Sequence, residues 1–324
     1  MEWYPLLMEP VFRHGEATPW GGQELGRRLG KPIPDDRTGE SLEVSALPGL
    51  QSTVKNGPLA GRFLGEVFDL WGAELTGREE KEFPLLLKFL DARERLSVQV
   101  HPGDAYARAH EGKLGKNEAW LILHAEPGAQ LVYGVRTDCG TLEQMVREGR
   151  VEEALNWVDA RDGAVFHIPA GTVHALGGGI LCYEIQESSD VTYRFWDWGR
   201  VDREGHSRPL HLQKALEVTR SGTPQKTGCP REEVPGGSRQ LLVCSDFFEL
   251  WHLQVEGEMP LDMAGMKLIT PLAPCRICWG RESLPVEAFR SVVVPAALEG
   301  VILCGNAPVL MTLRPRETGR QRGQ

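Results

Sequence analysis

Residues 83–102 read FPLLLKFLDARERLSVQVHP, and this stretch decides the fold. Leu96, Val98 and Val100 alternate with Ser97, Gln99 and His101, the period of a β-strand rather than of a helix. Two strands are expected here, joined near Asp91–Glu94. On a strand, residues i and i+2 project to the same face, so Gln99 and His101 look into one space. Glu118 and His174, from distant segments, would complete four nitrogen and oxygen donors. That set suits zinc, with a softer case for iron or manganese. A site gathered from three separated strands needs a fold that brings strand faces together.

Working outward, residues 119–135 (AWLILHAEPGAQLVYGV) predict a strand pair that turns at Glu126-Pro127-Gly128. Further strands are expected at Ala164–Pro169, Leu181–Gln186 and Val191–Trp196. From Thr141 to Val158 the apolar spacing becomes helical and is broken at Gly149, which predicts two short helices inserted at about residues 140–160. In residues 1–80, loop chemistry surrounds short strands such as Ser41–Ser45, and Leu59–Trp71 has a helix-like period. Residues 216–240 are polar and rich in Gly, Pro and Thr, and a linker is expected at 221–240.

Composition agrees with a β-rich protein. The 324 residues are 41% hydrophobic and include 37 Gly and 22 Pro, enough for ordinary cores and many turns. The formal charge of −9 argues against general nucleic-acid binding. No apolar run is long enough to predict a membrane span. The first residues lack a basic start and a long apolar stretch, so no signal peptide is expected and the cytoplasm is the expected compartment. Seven cysteines, an odd number in a long chain, fit reduced thiols. Cys275-Arg276-Ile277-Cys278 is a lone CxxC, read as core cysteines because no second pair completes a zinc site.

Gly163-x5-Pro169-x-Gly171-x2-His174 matches the second motif of cupin barrels, with His101 and Glu118 in the part of the first. The segments FPLLLKFLDARERLSVQVHPGDAYA (83–107), GKNEAW (115–120), PAGTVHAL (169–176) and EIQESSDVTYRFWDWGR (184–200) closely resemble type I mannose-6-phosphate isomerase in its shorter bacterial form. The resemblance covers about residues 10–215 well and the remainder more loosely. It implies a mainly β fold of two cupin-like jelly-roll barrels with the short helical insertion. The expected layout is a catalytic metal-binding domain over 1–220, the linker, a second barrel without metal over 241–315, and a disordered tail over 316–324. An internal echo supports the second barrel: aligning Pro169 with Pro295 puts Gly300 opposite His174.

The resemblance also implies an activity: zinc-dependent interconversion of mannose 6-phosphate and fructose 6-phosphate through an enediolate. One Zn2+ per chain would be held by Gln99, His101, Glu118 and His174. Lys116, Arg194 and Glu184 match catalytic positions, with Glu184 the expected base, Arg194 stabilising charge and Lys116 serving phosphate or proton transfer. Lys88 is a further candidate for phosphate. The expected partner is a small sugar phosphate, without nucleic acid or membrane. Gly103, Leu42 and Asn117 depart from the family's usual residues without removing a ligand. Gly177–Gly179 is expected as a hairpin turn, since no P-loop follows it. Two other readings stand beside this one. His101, Glu118 and His174 resemble the facial triad of an iron dioxygenase, and a sugar-binding regulator without turnover would keep the same barrel.

Overall fold

The computed structural model of the chain describes residues 2–202, 204–223 and 229–314. It is mainly β and divides into two compact units. No helix among the described residues is long and apolar enough to cross a membrane.

The unit built from residues 12–42 and 86–226 carries the expected ligands. Residues 83–102 form strands Leu85–Ala92 and Val98–Val100. The break therefore falls after Ala92, slightly later than the sequence suggested. The pair around Pro127 is Glu118–Ala125 and Gln130–Val135. A five-stranded sheet contains Val98–Val100, Gln130–Val135, Leu155–Asp159, His174–Ala175 and Tyr193–Trp196. A six-stranded sheet contains Val11–His14, Thr38–Val44, Leu85–Ala92, Glu118–Ala125, Val165–Ile168 and Ile180–Glu187. The facing surfaces bury Trp120, Ile122, Phe166, Ile168 and Cys182 of the larger sheet with Leu131 and Tyr133 of the smaller. Each such side chain contributes roughly 1.5–3 kcal/mol by leaving water.

The helical insertion is shorter than expected. It consists of Cys139–Arg147, whose first turn Asp138 caps by accepting from the Thr141 backbone N–H, and Val151–Ala154. From Leu155 the chain is a strand, with Leu131 opposite Val158 and Val132 opposite Trp157. The spacing of Val151, Ala154, Leu155 and Val158 fits a helix face, but pairing with a neighbouring strand satisfies the backbone and overrides that local preference.

The other unit comprises the described parts of residues 1–11, 43–85 and 227–314. Strand Leu6–Glu9 pairs on one side with Val292–Val294, Leu6 facing Val293, and on the other with Thr53–Val54. This unit is not one consecutive stretch: the first strand lies in a sheet between Thr53–Val54 and strands that come from the end of the chain. Among the described residues that sheet has ten strands. Strand Glu232–Val234 and the start of Gly237–Cys244 form a hairpin inside the stretch expected as a linker. The expected disordered tail lies outside the described residues.

Candidate metal centre

His174 faces Gln99 directly across the five-stranded sheet, and Arg194 faces Gln99 from its other side. Directly opposed residues share a sheet face, so one row carries His174, Gln99 and Arg194. Glu118 opens the strand of the six-stranded sheet that lies between Val165–Ile168 and Ile180–Glu187, with Gln186 opposite it. The two sheets thus bring together ligands separated widely in sequence.

The turn before His174 is held tightly. Gly171 has φ +90°, and a Cβ there would lie 2.8 Å from the Val218 carbonyl oxygen, so only glycine suits the position. Its N–H donates to the His101 carbonyl oxygen at 2.8 Å, linking the two histidine segments through the backbone.

His101, Glu118 and His174 are buried, with one potential ligand atom from each within 4.8 Å of the others. His174 Nδ1 lies 2.8 Å from the Thr172 carbonyl oxygen, and His101 Nδ1 lies 2.8 Å from that of Val191. A carbonyl only accepts, so both Nδ1 atoms carry the proton and both Nε2 atoms present lone pairs. His174 Nε2 meets Glu118 Oε1 at 3.1 Å, and His101 Nε2 meets Glu118 Oε2 at 3.5 Å. Lone pairs facing a carboxylate repel unless a cation stands among them. Outer hydrogen bonds that fix the imidazole tautomer are the usual support of a metal site. The donor set therefore fits a metal ion.

Gln99 has its amide nitrogen 3.3 Å from His174 Nε2. The two ends of an amide have nearly the same shape, and reversing it would present the oxygen to the same point. The Lys116 ammonium donates to His101 Nε2 at 3.0 Å and pairs with Glu118 Oε2. One positive group therefore already sits against two of these acceptors.

Electrostatics agree. Burial, followed by the charge of Lys116, holds His101 well below the ordinary imidazole value, so the ring is neutral at pH 7. Burial alone would raise the Glu118 carboxyl, but Lys116, His174 and His101 more than offset it and hold the group well below the usual carboxylate range. Both are in the protonation state that a metal requires.

From this cluster a line of alternating charges crosses the six-stranded sheet. Lys116 lies 4.0 Å from Glu184, Glu184 lies 3.1 Å from Lys88, Lys88 lies 3.4 Å from Glu40, and Glu40 lies 3.3 Å from Arg13. Trp120 Nε1 also donates to Glu184 at 2.7 Å. Lys88 is buried, and Glu184 and Glu40 hold its proton more tightly than usual against the opposing effect of burial. It is thus engaged with two carboxylates rather than extended for phosphate. Glu40 and Arg13 were not singled out from sequence, although a glutamate and a lysine among inward-facing positions were the available signal.

Arg194 is differently placed. Asp197 is held by Arg208 at 2.6 and 2.7 Å, and Asp190 by Lys113. Arg194 Nη1 donates to the Pro209 carbonyl oxygen at 3.0 Å, while its buried Nε has no hydrogen-bond partner. Burial and the nearby charges of Arg208 and Arg13 lower its proton affinity.

Behind Glu118, the Asn117 backbone N–H and side-chain amide donate to Glu187 Oε2 at 2.9 and 2.7 Å, and Asn117 Oδ1 accepts from the Ala170 N–H at 2.9 Å. This links the glutamate ligand's segment to the Pro169–His174 turn. Burial raises Glu187 to about 7. A carboxyl that binds its proton more tightly folded than unfolded stabilises the fold below about pH 4.5, and that contribution is lost as pH rises through about 7. Glu187→Gln should therefore match the parent protein in acid and exceed it at pH 8, by on the order of 3 kcal/mol for a shift of this size. Thermal melts at pH 4.5 and pH 8 check this; equal melting temperatures at pH 8 contradict it.

The profile described as "Phosphomannose isomerase type I, catalytic domain" matches residues 13–119. A mannose-6-phosphate isomerase of Streptococcus mutans is 35% identical over 94% of this chain and 98% of that protein. A probable mannose-6-phosphate isomerase of Bacillus subtilis is 39% identical over 78% of this chain and 81% of its own length. The crystal structure of a mannose 6-phosphate isomerase from Bacillus subtilis superposes with a TM-score of 0.88 at 31% identity, covering 95% of this chain and 99% of that one.

Proposed function

The chain belongs to the type I mannose-6-phosphate isomerase family, and we propose that it interconverts mannose 6-phosphate and fructose 6-phosphate through an enediolate, with one zinc ion per chain. The observation that carries this reading is the convergence of two tautomer-fixed imidazole nitrogens on one buried carboxylate, with Arg194 in the same cross-strand row.

The proposed ligands are His101, Glu118 and His174, with Gln99 as the fourth. Buried nitrogen and carboxylate donors suit zinc. When bound, such an ion polarises a carbonyl oxygen or fixes the sugar's orientation as a Lewis acid.

The chain's own residues supply the rest. Moving a proton between C2 and C1 needs an acid–base group at the reacting carbons and positive charge where an oxyanion develops. We assign proton transfer to Lys116, whose ammonium adjoins the ligands. Glu184, expected from sequence as the base, has Trp120 and Lys88 on its oxygens, and we assign it to positioning Lys116. Arg194 is assigned to the substrate, since its guanidinium lacks a carboxylate of its own. Arg194→Ala should lower kcat by about 10²–10³-fold, the effect of losing one preorganised charge-stabilising donor, while metal stays bound. Unchanged turnover removes Arg194 from the reaction.

The reaction class is tested by following the conversion in D2O by NMR. Proton exchange at an enediolate places solvent deuterium at C1 of the fructose 6-phosphate formed. Sugar phosphates that stay free of deuterium after prolonged equilibration over many turnovers contradict the enediolate. Binding of the sugar phosphate with no conversion favours the regulator reading.

A further inference from the structure

Strand Cys275–Trp279 pairs antiparallel with Ile302–Leu313, Arg276 facing Cys304 and Cys278 facing Ile302. Cys278 and Cys304 are therefore diagonal neighbours. Cys275, Ile277 and Leu303 point into the core of this unit, whereas Cys278 and Cys304 lie on the opposite face and are partly exposed. Strand twist shortens one diagonal of an antiparallel pair, and here the two Sγ atoms stand 3.0 Å apart. That is within about 1 Å of a disulfide bond length.

The two sulfurs are not equivalent. The Cys304 thiol donates to Cys278 Sγ. Burial, and then this hydrogen bond, push Cys304 up to about 12, so Cys304 keeps its proton at neutral pH.

We propose that Cys278 and Cys304 form an oxidisable dithiol that hydrogen peroxide closes to a disulfide across the sheet. Cys278, as thiolate, attacks one peroxide oxygen. An S–O bond forms, the O–O bond breaks, and hydroxide leaves, giving the sulfenic acid. Cys304 sulfur then attacks Cys278 sulfur, the S–O bond breaks, and the departing hydroxide takes up the Cys304 proton as water. Two thiols are oxidised and one peroxide is reduced to water. The bond would enclose strands Glu282–Val286 and Val292–Val294 and so restrict the unfolded chain.

The test uses the zinc-loaded full chain, treated with hydrogen peroxide, quenched with N-ethylmaleimide, digested and mapped by mass spectrometry. All seven thiols are free at the start. The expected result is the loss of two, a peptide joined through Cys278 and Cys304, and its release by dithiothreitol. The oxidised protein should also melt several degrees higher. In Cys304→Ser, checked for folding by circular dichroism, the joined peptide should be absent and dimedone should trap Cys278 as sulfenic acid. Both thiols remaining alkylatable overturns the proposal. So does a bond confined to the exposed Cys229 and Cys244, or oxidation of Cys278 to sulfinic acid without a joined peptide.

Discussion

His174→Ala loses bound metal and turnover together. His174 supplies an Nε2 whose direction is fixed by the bond from Nδ1 to the Thr172 carbonyl, and its side chain is fully buried. Alanine removes a ligand and leaves Glu118 Oε1, already without a hydrogen-bond partner, facing an empty volume. Losing an outer partner of a metal ligand costs about 10–100-fold in affinity or activity; removing the ligand itself should exceed that. Metal content after dialysis and the rate of mannose 6-phosphate conversion are the two readings, with circular dichroism to establish folding. A folded variant that keeps both metal and full activity removes His174 from the centre.

Lys116→Met separates metal binding from chemistry. Lys116 touches His101 and Glu118 through its ammonium but belongs to none of the proposed ligands. Methionine keeps much of the volume and removes the proton donor. The metal-loaded variant should retain zinc and lose about 10²–10⁴-fold in kcat, the range for a positioned acid–base group. The metal-free variant should also be less stable than the metal-free parent, because Glu118 loses its buried counter-charge. Activity within a few-fold of the parent would return Lys116 to a purely structural role. A pH–rate profile that loses one limb distinguishes proton transfer from general electrostatic support.

Much of the centre was legible in the chain because ligand pairs obey strand geometry. Gln99 and His101 are two apart near the end of one strand, and the Pro169–His174 turn announces itself by a glycine that the structure holds at positive φ. Lys116, two residues before Glu118, was marked by the family resemblance of GKNEAW rather than by strand geometry. What could not be read locally was which strands meet. The pairing of Leu6–Glu9 with Val292–Val294 joins residues nearly a chain length apart, and nothing in either tetrad or triad encodes the partner. The strand at Leu155–Asp159 was hidden for the opposite reason, since its apolar spacing satisfies a helix and only the neighbour at Gln130–Val135 decides between them. The ion line from Lys88 through Glu40 to Arg13 combines three strands, and its members look ordinary until the register puts them side by side. Glu187 gave no signal at all, because its importance lies in the two N–H groups of Asn117, seventy residues earlier.

The most direct measurement strips the protein of metal with a chelator, restores one metal ion at a time, and records bound metal per chain and turnover of mannose 6-phosphate on the same samples. The account predicts that activity falls with the metal, that zinc restores it, and that it rises linearly to a plateau at one ion per chain. Full activity in metal-free protein would contradict it, and so would zinc bound at this site with no conversion of the sugar phosphate.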